Sequence, residues 1–173
     1  MSLHIIIDGY NLIRQSPRLK RLDQQDIQLG RQTLLEELAL YQKRKRHRIT
    51  VVFDGANAPV FTQPQERVKG IDIQFSRVGE SADTLIKKMA AREKEKALIV
   101  SSDRDIVVFA MSQGAAVISS PHFDEKIART ASAPDDSSLS RDVKGWNPST
   151  KKKGPSRRLS KRERKNKIKT RKL

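Results

Sequence analysis

The sequence predicts an α/β domain built on a mainly parallel sheet, followed by a basic tail. Three observations carry this. Short β-branched runs recur through the first 130 residues, helical patterns fill the gaps between them, and apolar residues thin out abruptly after residue 130. The runs at residues 3–7, 49–53 and 97–100 keep no polar/apolar alternation. That is the pattern of strands covered on both faces, and strands alternating with helices build parallel sheets.

Taken in order, residues 3–7 (Leu-His-Ile-Ile-Ile) are the first expected strand. The first expected helix carries Leu34, Leu38 and Tyr41 at i, i+4 and i+7, with Leu35 beside them. It ends in Lys43-Arg44-Lys45-Arg46, where cations favour the helix dipole; the run reads either as a solvated helix end or as a strip for phosphates. Residues 49–53 are the second strand. Residues 55–70, holding Pro59 and Pro64, read as a long loop. Residues 71–75 alternate through Asp72 and Gln74, as an edge strand does. Ser81 is an expected N-cap for a helix with Leu85, Ile86 and Met89, and residues 97–100 are the next strand. Ser102-Asp103 starts a helix with Ile106, Val107, Phe109 and Ala110, Gly114 ends it, and residues 115–118 form a last short strand.

Composition sets the boundaries. The 173 residues carry 36 Lys+Arg against 20 Asp+Glu, a net charge of +16. Residues 131–173 hold 15 of the basic side chains, four acids and only eight apolar residues. So little apolar area does not offset the entropy of ordering a chain. The expected organisation is therefore one domain over residues 1–130 and a low-complexity basic tail over 131–173, disordered when free. The absence of cysteine excludes disulfide scaffolds, thiolate zinc sites, iron–sulfur clusters and cysteine nucleophiles. No apolar run is long enough to span a bilayer, and Ile5-Ile6-Ile7 meets Asp8 too soon for a signal peptide. A soluble cytoplasmic protein with no membrane partner is expected. His4, His47 and His122 are scattered, and His4 reads as an ordinary strand residue.

The carboxylates are placed less evenly. Asp8 follows the first strand, Asp54 the second, and Asp103 comes just after residues 97–100, with Asp105 beyond it. In a parallel sheet these are carboxyl ends on one edge, where open α/β folds place their ligand crevice. Asp83 sits in the first turn after Ser81, and Asn11 lies three residues past Asp8. Each acid alone has a structural reading as a helix cap or a turn residue. Gathered in one crevice, they repel and raise one another's pKa unless a cation lies between them. A hard divalent ion, Mg²⁺ or Mn²⁺, suits oxygen donors, whereas zinc does not suit a set lacking cysteine and paired histidine.

Four motifs occur in order: Asp8-Gly9-Tyr10-Asn11; Val51-Val52-Phe53-Asp54-Gly55; Phe75-Ser76-Arg77 with Gly79-Glu80-Ser81-Ala82-Asp83; and Ser101-Ser102-Asp103. Together they resemble the YacP-like branch of the NYN-domain family, within the PIN-like nuclease fold. The resemblance covers residues 3–125 and leaves out the basic tail. It implies a three-layer domain whose central, mainly parallel sheet has strand order 3-2-1-4-5. It also implies a metal-dependent endoribonuclease, in a branch linked to RNA processing and the ribosome. Carried onto this sequence, Asp8, Asp83 and Asp103 are the implied Mg²⁺ or Mn²⁺ ligands, and Asn11 positions a water or a phosphate. Asp54 matches a recurring acid that binds metal or shapes the crevice wall. Asp105 matches a second acid present in some members. Ser102 is either a phosphate contact or a neighbour of the cap.

Competing chemistries fail on particular residues. A haloacid-dehalogenase phosphatase needs an acid where Tyr10 stands, a receiver domain needs an acidic pair and a late lysine, and Gly-x-x-x-x-Gly-Lys does not occur. Arg14 and Arg77 flank the expected crevice and suit phosphates. Lys151, Lys152, Lys153, Arg157 and Arg158 begin the densest part of the tail, whose expected partner is RNA, including a ribosome or its rRNA. Trp146 is the only aromatic residue after residue 130, so phosphate grip is favoured over base stacking. The alternative reading is a non-catalytic RNA-binding or ribosome-associated module that keeps the fold.

Overall fold

The computed structural model describes residues 3–55, 65–77, 79–132, 160–171 and 173. Along the chain these form β1 (His4–Asp8), α1 (Gly9–Gln15), α2 (Pro17–Gln25), α3 (Ile27–Lys45), β2 (Arg48–Phe53), β3 (Gln65–Val68) and β4 (Ile71–Phe75). There follow α4 (Ala82–Glu93), β5 (Ala97–Val100), α5 (Arg104–Ser112), β6 (Ala116–Ile118), α6 (Ser120–Ser132) and α7 (Lys161–Arg171). The sheet order is β3-β4-β2-β1-β5-β6. Every pairing is parallel except β3 with β4. Counting only the parallel strands gives the order 3-2-1-4-5.

Strand alternation divides the core into two layers. Ile5 and Ile7 of β1 point to one face and join Val51, Phe53, Leu98 and Val100. Leu12 and Ile13 of α1, Leu19 of α2, Leu34, Leu38 and Tyr41 of α3, and Phe123 and Ile127 of α6 cover that face. Ile6 points the other way with Val52 and Ile99, against Ile86, Met89 and Ala90 of α4 and Ile106 and Ala110 of α5. Each such fully buried Leu or Ile stabilises the fold by ~1.5–3 kcal/mol relative to exposure. β1 lies at the centre, paired along its length with both β2 and β5, so its C-terminal residue sits in the middle of the sheet edge.

Three expectations change. Residues 65–70 are not loop: β3 pairs with β4 through the Lys69-Gly70 turn, where both residues have positive φ (52° and 90°). That is the backbone a two-residue hairpin needs. Residues 56–64, with Pro59 and Pro64, lie outside the described residues. β4 is consequently an inner strand between β2 and β3, and the edge is β3, whose Gln65, Glu66 and Arg67 are exposed. The tail also differs in its described part. Residues 161–171 form a helix beside β6, and Leu173 is buried in the core, where its carbonyl accepts a hydrogen bond from the Tyr41 hydroxyl (3.1 Å). His4 is a strand residue as expected, its Nε2 2.8 Å from Thr50 Oγ1 of β2. Among the described residues no helix is long and apolar enough to cross a membrane.

α1 starts directly at the end of β1, and Gly9 makes the join possible. A Cβ at Gly9 would stand 2.4 Å from Cε1 of the buried Phe53 ring. Gly9→Ala should therefore lower stability by ~1–3 kcal/mol, the usual cost of overpacking a closed core. Urea unfolding of the two proteins checks this; equal midpoints would show that the ring moves aside freely.

Candidate active site

Asp8 ends β1 and caps α1, its Oδ1 accepting the Asn11 N–H at 3.2 Å. The buried hydroxyl of Ser101, just past β5, donates to Asp8 Oδ2 (3.3 Å) and accepts the Asp103 N–H (3.1 Å). One serine thus ties the ends of two neighbouring strands. Asp103 caps α5, with Oδ1 accepting from the N–H groups of Asp105 and Ile106. Asp83 lies in the first turn of α4, which Ser81 caps. Asp54 follows β2 and accepts from Ser76 Oγ (3.4 Å), which itself accepts the Gly55 N–H (2.9 Å).

These four acids share one cavity of about 280 Å³, lined also by Tyr10, Asn11, Arg14, Gln15 and Ala82. It opens at the carboxyl edge of the parallel strands, the edge where parallel sheets bind ligands. Burial, reinforced by the charges of Asp83 and Asp103, pushes the Asp8 carboxyl up to about 6. Asp83 is also shifted upward, by desolvation first and by Asp103 next. Asn11 is fixed by its carbonyl oxygen, which accepts from the Ser102 N–H (3.0 Å) and the buried Ser120 hydroxyl (2.7 Å). Beneath Tyr10, the buried Arg31 guanidinium donates to the Tyr10 hydroxyl and lies 5.2–5.7 Å from the rings of Tyr10, Phe53 and Phe75.

Of the other sequence candidates that the structure describes, Arg14 alone lines this cavity. Asp105 is exposed and pairs with Lys87; it does not line the cavity, although its charge acts on Asp83. Ser102 is exposed beside the cavity and accepts the Ser120 N–H at its hydroxyl (3.2 Å). Arg14 is on the cavity rim, whereas Arg77 lines an adjoining cleft with Gln65, Gln74, Phe75, Glu80, Leu85 and Lys88. Lys151, Lys152, Lys153, Arg157 and Arg158 lie outside the described residues. The sequence alone gives Ser120 and Arg31 no role, and gives Ser101 only a place in a motif. Their roles come from partners far along the chain, and only the Ser101-Ser102-Asp103 motif hinted at one of them. A larger cleft of about 470 Å³ lies by α7, but Glu95 is its sole acid, so it lacks a convergent set.

A raised carboxyl has a stability consequence of definite sign. The folded state holds the Asp8 proton more tightly than the unfolded chain does. Asp8 therefore costs nothing below the ordinary value of 3.8, and its full cost is present once pH exceeds about 6. Asp8→Asn keeps the cap acceptor and removes the charge. In metal-free buffer it should be more stable than the parent near pH 8 by ~1–3 kcal/mol, and the gap should close below about pH 4. Urea titrations at both pH values measure it; a gap independent of pH would remove the desolvation argument.

Comparison with known proteins identifies the family and the fold. Residues 5–172 match the family described as the YacP-like NYN domain, so the likeness continues into α7 rather than stopping near residue 125. The protein described as uncharacterized protein YacP, from Bacillus subtilis strain 168, is 31% identical over 86 residues, and the match spans half the length of each chain. Two crystal structures of Rae1 (YacP) from Bacillus subtilis are similar. The Rae1 structure has 26% identity and a TM-score of 0.63, covering 76% of each chain. A mutant with tryptophan replaced by leucine has 25% identity and a TM-score of 0.62, covering 76% of this chain and 77% of that one. The chain belongs to the YacP-like NYN domain family, with its PIN-like nuclease fold.

Proposed function

We propose that the protein is a divalent-metal-dependent endoribonuclease that hydrolyses RNA phosphodiesters in the cytoplasm. Its basic C-terminal end holds it on a large RNA, such as the ribosome or its rRNA. The observation that carries the reading is the convergence of Asp8, Asp54, Asp83 and Asp103, from four separate segments, on one polar cavity at the carboxyl edge of a nuclease-family sheet.

The donor set fits a hard cation. All the acids offer oxygen, and Asp8 is desolvated with neighbouring negative charge, a state that a bound cation relieves. Among the described residues no three His, Asp or Glu side chains are grouped so as to hold an ion by themselves. Such a spread set suits an ion that keeps several of its own waters, as Mg²⁺ does. Asp8, Asp83 and Asp103 would hold Mg²⁺ or Mn²⁺, with Asp54 on the wall. When bound, the ion supplies positive charge against the phosphate and a more acidic water.

The chain's own groups do the rest. With its carbonyl oxygen occupied by Ser102 and Ser120, Asn11 offers its amide N–H to a phosphate oxygen. Arg14 stands at the rim, where the next phosphate of the strand would lie, and attracts it as a rigid cationic fork. Ser101 keeps Asp8 and the Asp103 backbone in fixed relation, so the two strand ends do not move apart under their mutual repulsion.

Single substitutions of Asp8, Asp83 or Asp103 by Asn should abolish Mn²⁺-supported cleavage of a labelled RNA with the fold retained, and EDTA should do the same to the parent. Asn11→Ala should reduce the single-turnover rate by ~10²–10³, the usual effect of losing one positioned donor. Full-rate cleavage by Asp8→Asn would sink the assignment. RNA binding with no cleavage in Mn²⁺ would make the chain a binding module.

A further inference from the structure

We propose that the outward face of α7 is a phosphate-binding surface for structured RNA, and that Asn166 clamps it to the open edge of β6 at a fixed position on the domain. The inference rests on RNA being the partner, as proposed above, but not on cleavage.

The helix is built to form. Ser160 and Glu163 make a reciprocal cap: the Ser160 hydroxyl accepts the Glu163 N–H (3.2 Å), and Glu163 Oε2 accepts the Ser160 N–H (2.8 Å). It is also built to dock. β6 is an edge strand with backbone groups facing outward, and Asn166 meets them as another strand would. Its Oδ1 accepts the Val117 N–H (2.8 Å) and its Nδ2 donates to the Val117 carbonyl (3.1 Å). Lys165 pairs with the Glu95 carboxylate (2.7 Å), Lys169 donates to the Glu95 carbonyl, and the buried Leu173 closes the chain end against Tyr41.

Docking leaves charge to spare. α7 carries seven basic residues and Glu163 as its only acid. Lys165 and Lys169 serve the dock, whereas Arg164, Lys167 and Arg171 are exposed at i, i+3 and i+7, hence on one face. With no aromatic side chain, that face suits a phosphate backbone and not base stacking. Glu95, where α7 is pinned, precedes β5, and Asp103 follows it. The Lys165 and Lys169 contacts therefore stand at the amino end of β5, about the ~13 Å length of a four-residue strand from its carboxyl end, while Asn166 holds α7 at Val117, level with Ile99 in the middle of β5. RNA gripped there lies at a set offset from the cavity.

The test uses the full chain in an Asp8→Asn background, so that RNA stays intact, and a fluorescent RNA hairpin titrated at several salt concentrations. Replacing Arg164, Lys167 and Arg171 by Gln should weaken binding at low salt. The ratio of parent to variant affinity should shrink roughly 40-fold between about 50 and 200 mM salt, as expected for three phosphate contacts. Replacing Arg164 and Arg171 by Lys keeps the charge and should keep the slope. Asn166→Ala retains every charge, yet should speed hydrogen exchange at the Val117 amide and weaken hairpin binding. An unchanged salt slope in the Gln variant overturns the proposal. So does displacement of the hairpin by polyglutamate as readily as by RNA of equal charge, which would point to an acidic protein partner. Absence of cleavage by the parent in Mn²⁺ would remove the nuclease reading and leave these binding results standing.

Discussion

The structure depends most on one buried carboxylate at the end of the central strand. Asp8 is 8% exposed, terminates β1, caps α1 and receives the Ser101 hydroxyl from the neighbouring strand end. A carboxylate in that place is costly, because burial and two further acids disfavour its charge. A core optimised for stability would place an amide or an apolar residue there. The surrounding design accommodates the cost through local hydrogen bonds: a helix N–H on one oxygen and a serine on the other. The cavity is thus a strained electrostatic arrangement inside a well-packed sheet, the pattern expected where function and stability compete.

A second buried charge supports the first from below. The Arg31 guanidinium sits among Tyr10, Phe53 and Phe75 and donates to the Tyr10 hydroxyl. Desolvated cation–π contacts are among the stronger of their kind, and a planar guanidinium fits several rings where an ammonium would not. Tyr10 is therefore held from inside, and through Tyr10 so is the turn that carries Asp8 and Asn11. Phe53, packed edge-on to Tyr10 at 5.2 Å, also fills the space that Gly9 leaves. The residues around the site are linked by packing and not only by sequence proximity.

Much of this was legible in the sequence, for reasons that particular residues make clear. β1, β2 and β5 read as strands because both their faces are covered, which writes an unbroken apolar run. Ser81 and Asp103 read as caps because capping chemistry is local. β3 is hard to read because three of its four residues, Gln65, Glu66 and Arg67, are exposed and only Val68 packs against the core, and its Lys69-Gly70 turn lacks the usual Asn-Gly. α2 and α6 were missed although Ser16-Pro17 and Ser120-Pro121 are starting signals, and α7 was missed although Ser160 to Glu163 spells a capping box. There, low apolar content outweighed a local signal. In the site, the acids could be placed from topology alone. Ser101, Ser120 and Arg31 could not, since each is defined by a partner that only the folded sheet brings near.

Electrostatics explains why the two charged regions stand apart. An acidic cavity repels RNA, so attraction has to come from elsewhere on a chain of net charge +16. Two cations do stand near the acids: Arg14 on the cavity lining, and Lys87, which pairs with Asp105 and whose charge reaches Asp83 and Asp103. Charges farther off are screened: at physiological salt the Debye length is about 8 Å. The four residues of β5 span ~13 Å, so the pinned end of α7 lies beyond that distance from Asp103. Charge at the Glu95 end of α7 then acts only weakly on the carboxyl end of β5, so the proposed phosphate surface and the acidic cavity are in large part electrostatically separate.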